Sequence, residues 1–234
     1  MKIKSKIQQY FGLDDLIALL FLFLGVLYYF FPLKFRFLSS FHTNIIEIGI
    51  TVLIIGNASQ FVSIRSDKNR LILQMGSPVN GFAIEAIRQM RAMGWLIDGT
   101  ASNKNFTDAN WSKAYLVQAD LNNADIMYAN LSFADLTQAN LKETALDFSN
   151  LSSANLYKAK LNSAHLVYVD FRNANLTEAD CSNAELNGAD LSTATLKDIV
   201  LRGCLFDENT KWPPGFNAKK HGAIFKKIDP MSVG

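Results

Sequence analysis

The sequence predicts a mainly β protein in which a solenoid follows two apolar segments and one short amphipathic helix. The first observation behind this prediction is that aliphatic or aromatic residues recur at every fifth position from Phe106 to Phe206. An α-helix requires apolar steps of three and four residues, and a half-buried strand requires steps of two, so neither has this period. The second is an uncharged run of 18 residues, 16–33, long enough to cross a bilayer as a helix.

Composition and charge divide the chain of 234 residues into five segments. Residues 101–210 hold 14 Asp and Glu against 8 Lys and Arg, whereas the whole chain carries a net charge of +2. The repeat is therefore acidic and its flanks are basic. In order, the segments are a basic N-terminal segment (1–12), a two-helix transmembrane hairpin (13–64), a linker with an amphipathic helix (65–100), the repeat (101–210), and a C-terminal cap with a basic tail (211–234).

The hairpin prediction rests on two runs of unequal strength. The run 16–33 is too long for the apolar part of a cleaved signal peptide, and no small-residue cleavage site follows it. The second run, 45–64, contains Glu47, Asn57 and Gln60, and an isolated carboxylate at mid-membrane is expensive. Glu47 lies near the edge of this run, where it can reach water. A second span is favoured, and a buried soluble helix is the alternative.

Basic residues predict the orientation of this hairpin. Three precede the first run, two lie between the runs, and three follow the second: Lys2, Lys4 and Lys6; Lys34 and Arg36; Arg65, Lys68 and Arg70. Cytoplasmic loops carry the excess of Lys and Arg, so both ends are expected in the cytoplasm. The expectation is an integral protein of an inner membrane, of plasma or thylakoid type, anchored through residues 13–64 with the repeat on the cytoplasmic side.

An amphipathic helix is predicted from Phe82 to Gly94, with Asn80 or Ser77 as its N-cap. One stripe of this helix is apolar: Phe82, Ala83, Ala86, Ile87, Met90, Met93 and Gly94. Such a stripe is typical of a membrane-surface helix, of a partner-binding helix, or of a helix that packs over the open end of the neighbouring domain. The last interpretation is favoured, with Trp95 and Leu96 in the core.

The repeat consists of 21 consecutive pentads, and a small residue stands two places before most central residues. A step of two puts both residues on one face of an extended segment, and a turn must absorb the next step of three. Repeated turning makes a coil, which needs many copies to bury its core. The central residues expected inside are Phe106, Trp111, Leu116, Leu121, Ile126, Leu131, Leu136, Leu141, Leu146, Leu151, Leu156, Leu161, Leu166, Phe171, Leu176, Cys181, Leu186, Leu191, Leu196, Leu201 and Phe206.

The triplets ADL, ANL and ADL at Ala119, Ala129 and Ala134 resemble pentapeptide-repeat proteins. This resemblance implies a right-handed quadrilateral β-helix with four pentads per coil, about five coils in all. The segment FDENTKWPPGFNAKKHGAIF resembles the closing segment of such proteins, with Trp212 and Phe216 able to cover the last coil. Pro213 and Pro214 are expected to stop further ladder pairing.

A four-sided register would stack residues that are 20 apart on one face. Five apolar residues would then form an outward strip on a polar rod: Met127, Tyr128, Phe148, Val167 and Tyr168. Exposed apolar strips usually mark contacts. The strip could be covered by the chain's own amphipathic helix, or it could be a homodimer seam or the binding site of an unknown protein partner.

The sequence predicts no catalytic, cofactor-binding or metal site, and no enzyme. His42, His165 and His221 have no evident nucleophile beside them, and no phosphate-binding loop or zinc spacing is present. Cys181 and Cys204 are expected as inward-pointing core thiols. The Asp and Asn residues that precede most central residues recur too regularly to be an acid pair, and are interpreted as turn-forming.

The function that this organisation favours is a membrane-anchored, non-enzymatic scaffold that presents a rigid rod to a protein partner. The alternative comes from the family resemblance, because some members imitate DNA with an acidic rod and bind gyrase as inhibitors or protection factors. The charge of the repeat is modestly negative, and eight basic residues interrupt it. Direct binding of nucleic acid is disfavoured by the sign of that charge.

Overall fold

The structure is a computed structural model that describes residues 60 and 62–227. The chain divides into two compact units, Met1–Asp67 and Lys68–Gly234. The predicted segments 1–12 and 13–64 therefore lie outside the described residues, apart from residues 60 and 62–64. Within the part of the chain that is described, none of the helices combines the length and the apolar composition that crossing a membrane requires.

Helices lie at the N-terminal end of the described residues and two short strands lie at their C-terminal end. Helix α1 runs through residues 62–75 and helix α2 covers Asn80–Ala92. Strand β1 (Leu205–Phe206) lies in the last pentad of the repeat. A 3-10 helix (Ala218–His221) and strand β2 (Ile224–Phe225) follow, and β2 pairs in parallel with β1. Between α2 and β1 the chain forms isolated parallel bridges, one for each pentad.

Residues 20 apart pair in these bridges, from Asn105 with Asp125 through Glu185 with Leu205. Four pentads therefore complete one coil, and equivalent residues of successive coils lie on the same side of the rod. We number the sides 1 to 4 by their first central residues: Ala101, Phe106, Trp111 and Leu116. The repeat begins one pentad earlier than predicted, because Ala101 is fully buried in the central position.

The central residues fill the interior. Each of the 21 predicted central residues is at most 9% exposed, and the alanines two places before them are buried as well. Where a hydroxyl takes the small position, the backbone satisfies it. Thr144 Oγ1 donates to the Leu121 carbonyl at 3.2 Å, and Ser149 Oγ donates to the Ile126 carbonyl at 2.7 Å. The core therefore tolerates these two polar side chains, because neither is left without a hydrogen bond.

Pentads that begin with Asn or Asp satisfy their backbone donors in a common pattern, and residues 150–154 illustrate it. Two N–H groups bond the following coil, one bonds the preceding coil, one closes a turn and one bonds a side chain. The bonds are Leu151 N to Asp170 O (2.9 Å), Ser153 N to Arg172 O (2.8 Å), Asn150 N to Ala129 O (2.9 Å), Ala154 N to Leu151 O (3.0 Å) and Ser152 N to Asn150 Oδ1 (2.9 Å).

This pattern explains the Asn or Asp that precedes so many central residues. Its side-chain oxygen accepts the one N–H that neither the turn nor the ladder uses, as Asp135 does for Thr137 N at 3.0 Å. Only a short side chain with an acceptor can reach a backbone N–H two residues ahead. The interpretation of these residues as turn-forming therefore agrees with their hydrogen bonds.

The helices close the N-terminal end of the solenoid. Ala83, Ala86, Ile87 and Met90 on α2 are buried in the same hydrophobic core as the first coil. The indole Nε1 of Trp111 donates to the carbonyl of Met75, the last residue of α1, at 2.7 Å. Helix α2 thus occupies the position of an end cap, because it covers apolar side chains that the first coil would otherwise expose.

Four details of the predicted helix are wrong. It covers Asn80–Ala92 instead of Phe82–Gly94, so Gly94, with a φ of 74°, lies outside it. Its N-cap is Val79, without a side-chain cap bond, because the Asn80 amide instead donates to the carbonyls of Asn110 (3.2 Å) and Ser112 (3.0 Å). Phe82 is 62% exposed and Met93 is 64% exposed. Met93 lies outside the apolar stripe because α2 ends at Ala92. Phe82 precedes the first of the four buried residues, Ala83, and does not belong to the face that packs on the first coil.

The C-terminal segment covers the last coil and then extends the ladder. Trp212 packs edge-on against Phe206 at 5.6 Å between ring centroids and stacks on Phe216 at 5.4 Å. The prediction that Pro213 and Pro214 end the pairing is wrong. The 3-10 helix and the left-handed Gly222 (φ 87°) bring the chain back, and Ile224 N then donates to Cys204 O at 2.7 Å.

Candidate interaction surface

Tyr128, Phe148 and Tyr168 form a stacked ladder at the corner between sides 2 and 3. Each is the third residue of its turn, with φ of 58°, 60° and 56°. Consecutive ring centroids lie 5.2 and 5.5 Å apart, at interplanar angles of 6° and 16°. The side chains are 54%, 49% and 49% exposed, so α2 does not cover them. The ladder therefore presents aromatic surface to solvent.

Met127 and Val167 lie beside the ladder, both half-buried, and Asp147 separates them along the rod. Val167 N would normally bond the residue that precedes its central Leu166, but that position holds His165. Asp147 Oδ1 of the neighbouring coil accepts this N–H instead, at 2.7 Å. The five predicted residues thus share one surface, and a carboxylate that sequence reasoning left out lies among them.

Gly188 terminates the ladder. It occupies the next turn position above Tyr168, with a φ of 68°. A Cβ atom at Gly188 would lie 2.4 Å from Cε1 and 2.5 Å from Cδ1 of Tyr168, closer than any real contact. The Tyr168 ring therefore rests against the backbone of Gly188, and only glycine leaves room for it.

We expect Gly188→Ala to destabilise the protein more than Gly215→Ala. Both glycines have positive φ, where an L side chain costs about 1–2 kcal/mol. A Cβ at Gly215 would meet nothing within 4 Å, so that variant isolates the backbone cost. At Gly188 the new methyl group would also displace the half-exposed Tyr168 ring from the ladder, which should add about 0.5–1 kcal/mol through lost stacking. Urea unfolding of both variants measures the difference, and equal losses would contradict the packing of Tyr168 on Gly188.

Side 2 has a distinct charge. Its outward residues lie within 105–108, 125–128, 145–148, 165–168 and 185–188, and none of them is Lys or Arg. These ranges contain four acidic residues: Asp108, Asp125, Asp147 and Glu185. The other sides carry basic residues in equivalent positions: Lys142, Lys160 and Arg202 on side 1, Lys113 and Arg172 on side 3, and Lys158 and Lys197 on side 4. We call side 2, with its aromatic corner, the acidic side.

The acidic side also carries few compensating contacts. Glu185 Oε2 lies 3.5 Å from Nδ1 of His165, and Asp125 accepts the N–H of Met127 at 3.2 Å. Among the described residues, none of the four carboxylates forms an ion pair with Lys or Arg. Two exposed lysines lie at the two ends of this side: the carbonyl of Lys104 accepts the N–H of Asp125 at 2.9 Å, and Lys226 N donates to Phe206 O at 2.8 Å. Opposite charge for these carboxylates must therefore come from His165, from solvent or from a bound molecule.

Burial raises the pKa of Asp147 above its ordinary value. The N–H of Val167 and the nearby His165 act in the opposite direction, and the neighbouring carboxylates Glu185 and Asp125 raise the pKa further. A raised pKa means that the folded protein holds the ionised form less favourably than the unfolded chain does. The charge of Asp147 therefore costs stability at neutral pH.

We expect Asp147→Asn to stabilise the fold at neutral pH and to lose this effect in acid. Below the unfolded pKa the carboxyl is protonated in both states, so no penalty exists there. The penalty develops as the pH rises through the unfolded pKa toward the higher folded pKa. Asn retains an oxygen that can accept the Val167 N–H. Unfolding free energies measured across this pH range test the sign, and a variant that is less stable at neutral pH would contradict it.

The described residues show little that could perform chemistry. No group of three or more His, Cys, Asp and Glu among them could hold a metal ion. Burial raises the pKa of the Cys181 thiol well above its usual value and that of Cys204 to about 12, so both thiols are protonated at neutral pH. His221 stacks on Phe216 at 4.7 Å, and His42 lies outside the described residues.

Comparisons with known proteins agree with the repeat. The family model described as pentapeptide repeats (8 copies) matches four overlapping ranges: residues 105–142, 129–166, 154–192 and 164–203. A search of curated proteins found no match.

Solved structures give three informative comparisons. The pentapeptide-repeat protein Rfr23 from the cyanobacterium Cyanothece 51142 is 34% identical, over 47% of this chain and 81% of that one, with a TM-score of 0.40. The pentapeptide-repeat protein alr5209 from Nostoc PCC 7120 is 27% identical over 61% and 95%, with a TM-score of 0.24. QnrB1, a plasmid-mediated fluoroquinolone resistance protein, is 17% identical over 53% and 81%, with a TM-score of 0.35.

The repeat model and the identity to Rfr23 agree with the buried ladder of central residues and with the 20-residue register of the bridges. The chain therefore belongs to the pentapeptide-repeat family, and its repeats imply a right-handed β-helix.

Proposed function

We propose that this protein is a non-enzymatic scaffold, anchored in a membrane through residues 13–64, that binds a protein partner with the aromatic ladder of its rod. The observation that carries the proposal is the exposure of three stacked aromatic rings on a rigid wall. Soluble surfaces rarely keep aligned aromatic side chains in water without a use for them. The rings are held in place by the coil spacing, so binding would require little ordering of the surface.

The ladder is tested by Tyr128→Lys combined with Tyr168→Lys. Lysine already occupies the equivalent turn position at Lys113 and Lys158, with positive φ, so the fold should accept both changes. We expect unchanged secondary structure with loss of partner binding, or with a change from dimer to monomer if the partner is a second copy. Circular dichroism measures the secondary structure, light scattering the oligomeric state, and in-cell crosslinking the binding of the partner. Unchanged stability, oligomeric state and crosslinks would together remove the proposal.

The anchor is tested separately by carbonate extraction of the full-length chain from bacterial membranes. The 18-residue apolar run and the flanking basic residues predict that the chain resists extraction. Protease should cleave the repeat domain only after the cells are opened, if the domain is cytoplasmic. Release of the chain by carbonate would contradict the anchor but would leave the ladder proposal standing.

DNA mimicry directed at a type II topoisomerase is the alternative function. It would require a continuous acidic surface, whereas basic residues interrupt sides 1, 3 and 4 of this rod. A gyrase supercoiling assay with the full-length chain decides between the two functions. We expect no inhibition and no protection, and either effect at stoichiometric protein would favour the alternative.

A further inference from the structure

We infer that the partner segment recognised by the acidic side is an exposed stretch of protein rich in arginine. This inference rests on the proposed function, since it specifies the chemistry of the partner that the ladder binds. It draws on the charge of side 2, on the geometry of the ladder and on the way this chain already binds one of its own arginines.

The charge of the acidic side favours a cationic partner. Asp108, Asp125, Asp147 and Glu185 lie on a wall whose described lysines, Lys104 and Lys226, lie at its two ends and form no ion pair with them. The carboxylate neighbours of Asp147 contribute to its raised pKa. A segment that brings positive charge to this wall would relieve their repulsion. An acidic or neutral apolar segment would leave the repulsion in place, so charge complementarity selects a basic partner.

The ladder distinguishes arginine from lysine. The planar guanidinium stacks on aromatic faces and can bond a carboxylate with two parallel N–H groups, whereas the lysine ammonium is a strongly hydrated point charge. On this surface the aromatic column of Tyr128, Phe148 and Tyr168 runs beside the column that contains Asp147. One arginine can therefore contact a ring and a carboxylate at the same time.

The chain's own N-terminal cap provides an example of this contact. Arg91, at the end of α2, places its guanidinium carbon 4.5 Å from the ring centroid of Tyr115, an outward-facing tyrosine of side 4. The same guanidinium donates to the carbonyls of Tyr115 (3.2 Å) and Val117 (2.7 Å). In the part of the chain that the structure describes, no ladder N–H reaches these two carbonyls, because they belong to the first coil, whereas Asp125 O and Met127 O on the acidic side accept ladder bonds from Phe106 N (2.7 Å) and Asp108 N (3.0 Å). Arg91 thus shows that an outward ring of this solenoid can stack a guanidinium. On the acidic side, carboxylates would accept the N–H groups that Arg91 gives to backbone oxygens.

The probe that tests this inference is a short fluorescent peptide in which Arg and Thr alternate. Peptides with Lys or Gln in place of Arg serve as controls, and all are titrated against the full-length chain by fluorescence anisotropy. We expect the Arg peptide to bind best, the Lys peptide more weakly, and the Gln peptide at least about tenfold more weakly than the Arg peptide. Equal binding of the Gln peptide would overturn the inference, as would the absence of Arg-peptide binding.

Matched charge variants distinguish binding of the peptide at the acidic side from binding through the overall charge of the protein. Asp125→Asn with Glu185→Gln removes two charges from the acidic side, and Asn keeps the oxygen that accepts Met127 N. Glu143→Gln with Asp198→Asn removes two charges from sides 1 and 4. We expect the first pair of substitutions to lower the affinity for the Arg peptide at least about tenfold, and the second pair to change this affinity less than about twofold. Equal losses in the two pairs would overturn the inference.

The contribution of the rings is tested by Tyr128→Ser with Tyr168→Ser. Serine already occupies the same turn position at Ser153 and Ser163, so the fold should be retained. We expect the preference for Arg over Lys to shrink, because the stacking surface is lost while the carboxylates remain. An unchanged preference would show that the ladder takes no part. If the ladder crosslinks in cells to a partner that has no basic residue at the contact, the inference fails and the proposed function stands.

Discussion

Phe171→Ala should destabilise the protein by about 3–5 kcal/mol, the range measured for deletion of a buried aromatic side chain. Phe171 is fully buried and lies among the largest side chains of the core. Ladder hydrogen bonds fix the distance from this coil to the coils above and below it, as in Leu151 N to Asp170 O (2.9 Å) and Phe171 N to Asp190 O (2.9 Å), so the backbone can collapse only slightly into the cavity. Urea unfolding followed by circular dichroism measures the loss.

Two further variants make this expectation specific. Phe171→Leu places the most common central residue at this position and should cost no more than about 1.5 kcal/mol. Lys197→Ala changes an exposed side chain and should lie within about 0.5 kcal/mol of the parent. A loss below about 1 kcal/mol for Phe171→Ala would mean that the interior at this coil is not close-packed.

Asp207→Ala should cost about 3 kcal/mol, because it leaves several buried donors without an acceptor. Asp207 is 2% exposed and follows the last central residue, where the repeat gains one residue and Asp190 pairs with Lys211. Its Oδ1 accepts three backbone hydrogen bonds, from Gly188 N (2.9 Å), Asn209 N (3.0 Å) and Thr210 N (3.0 Å). Thr210 Oγ1 also lies 2.9 Å away, and its single proton can go either to this oxygen or to Leu186 O, at the same distance. Asp207→Asn keeps an acceptor oxygen and should cost clearly less than Asp207→Ala.

The pH dependence of this loss has a definite sign. Burial opposes the ionisation of Asp207, but hydrogen bonds from Gly188, Thr210 and Asn209 prevail and hold its pKa below the usual value. A carboxyl with a lowered folded pKa contributes stability above its unfolded pKa, and this contribution is lost as the pH falls through the folded pKa. The difference between the parent and Asp207→Asn should therefore shrink in acid. A difference that grows in acid would contradict the hydrogen-bonded carboxylate.

The period of five was sufficient to predict the interior of the repeat, because a fixed step between inward residues leaves the backbone few alternatives. It did not reveal Ala101, since alanine in a central position cannot be distinguished from alanine in a small position. The return of the chain to form β2 could not be predicted either. That return depends on the turn at Gly222 and on an open strand edge at Phe206, and neither produces a periodic signal.

The candidate surface was predictable in part. The 20-residue register placed Tyr128, Phe148 and Tyr168 together, since it follows from four pentads per coil. The same register would also have grouped Asp125 and Glu185, but the sequence interpretation considered only apolar residues. Sequence alone could not predict two contacts, because both depend on the distance between coils. They are the hydrogen bond from Val167 N to Asp147 and the contact of Tyr168 with Gly188.

The most direct test of the proposed scaffold is site-specific photocrosslinking from the full-length chain in living cells. A photoreactive phenylalanine analogue replaces Tyr128 on the ladder, and in a second strain it replaces Gln138. Gln138 occupies the same turn position in the same coil, two pentads away, and is also exposed. We expect a discrete crosslinked protein from position 128 and none from position 138, with the attached peptide containing arginine. No crosslink from position 128, or equal crosslinks from both positions, would contradict a partner-binding face on this rod.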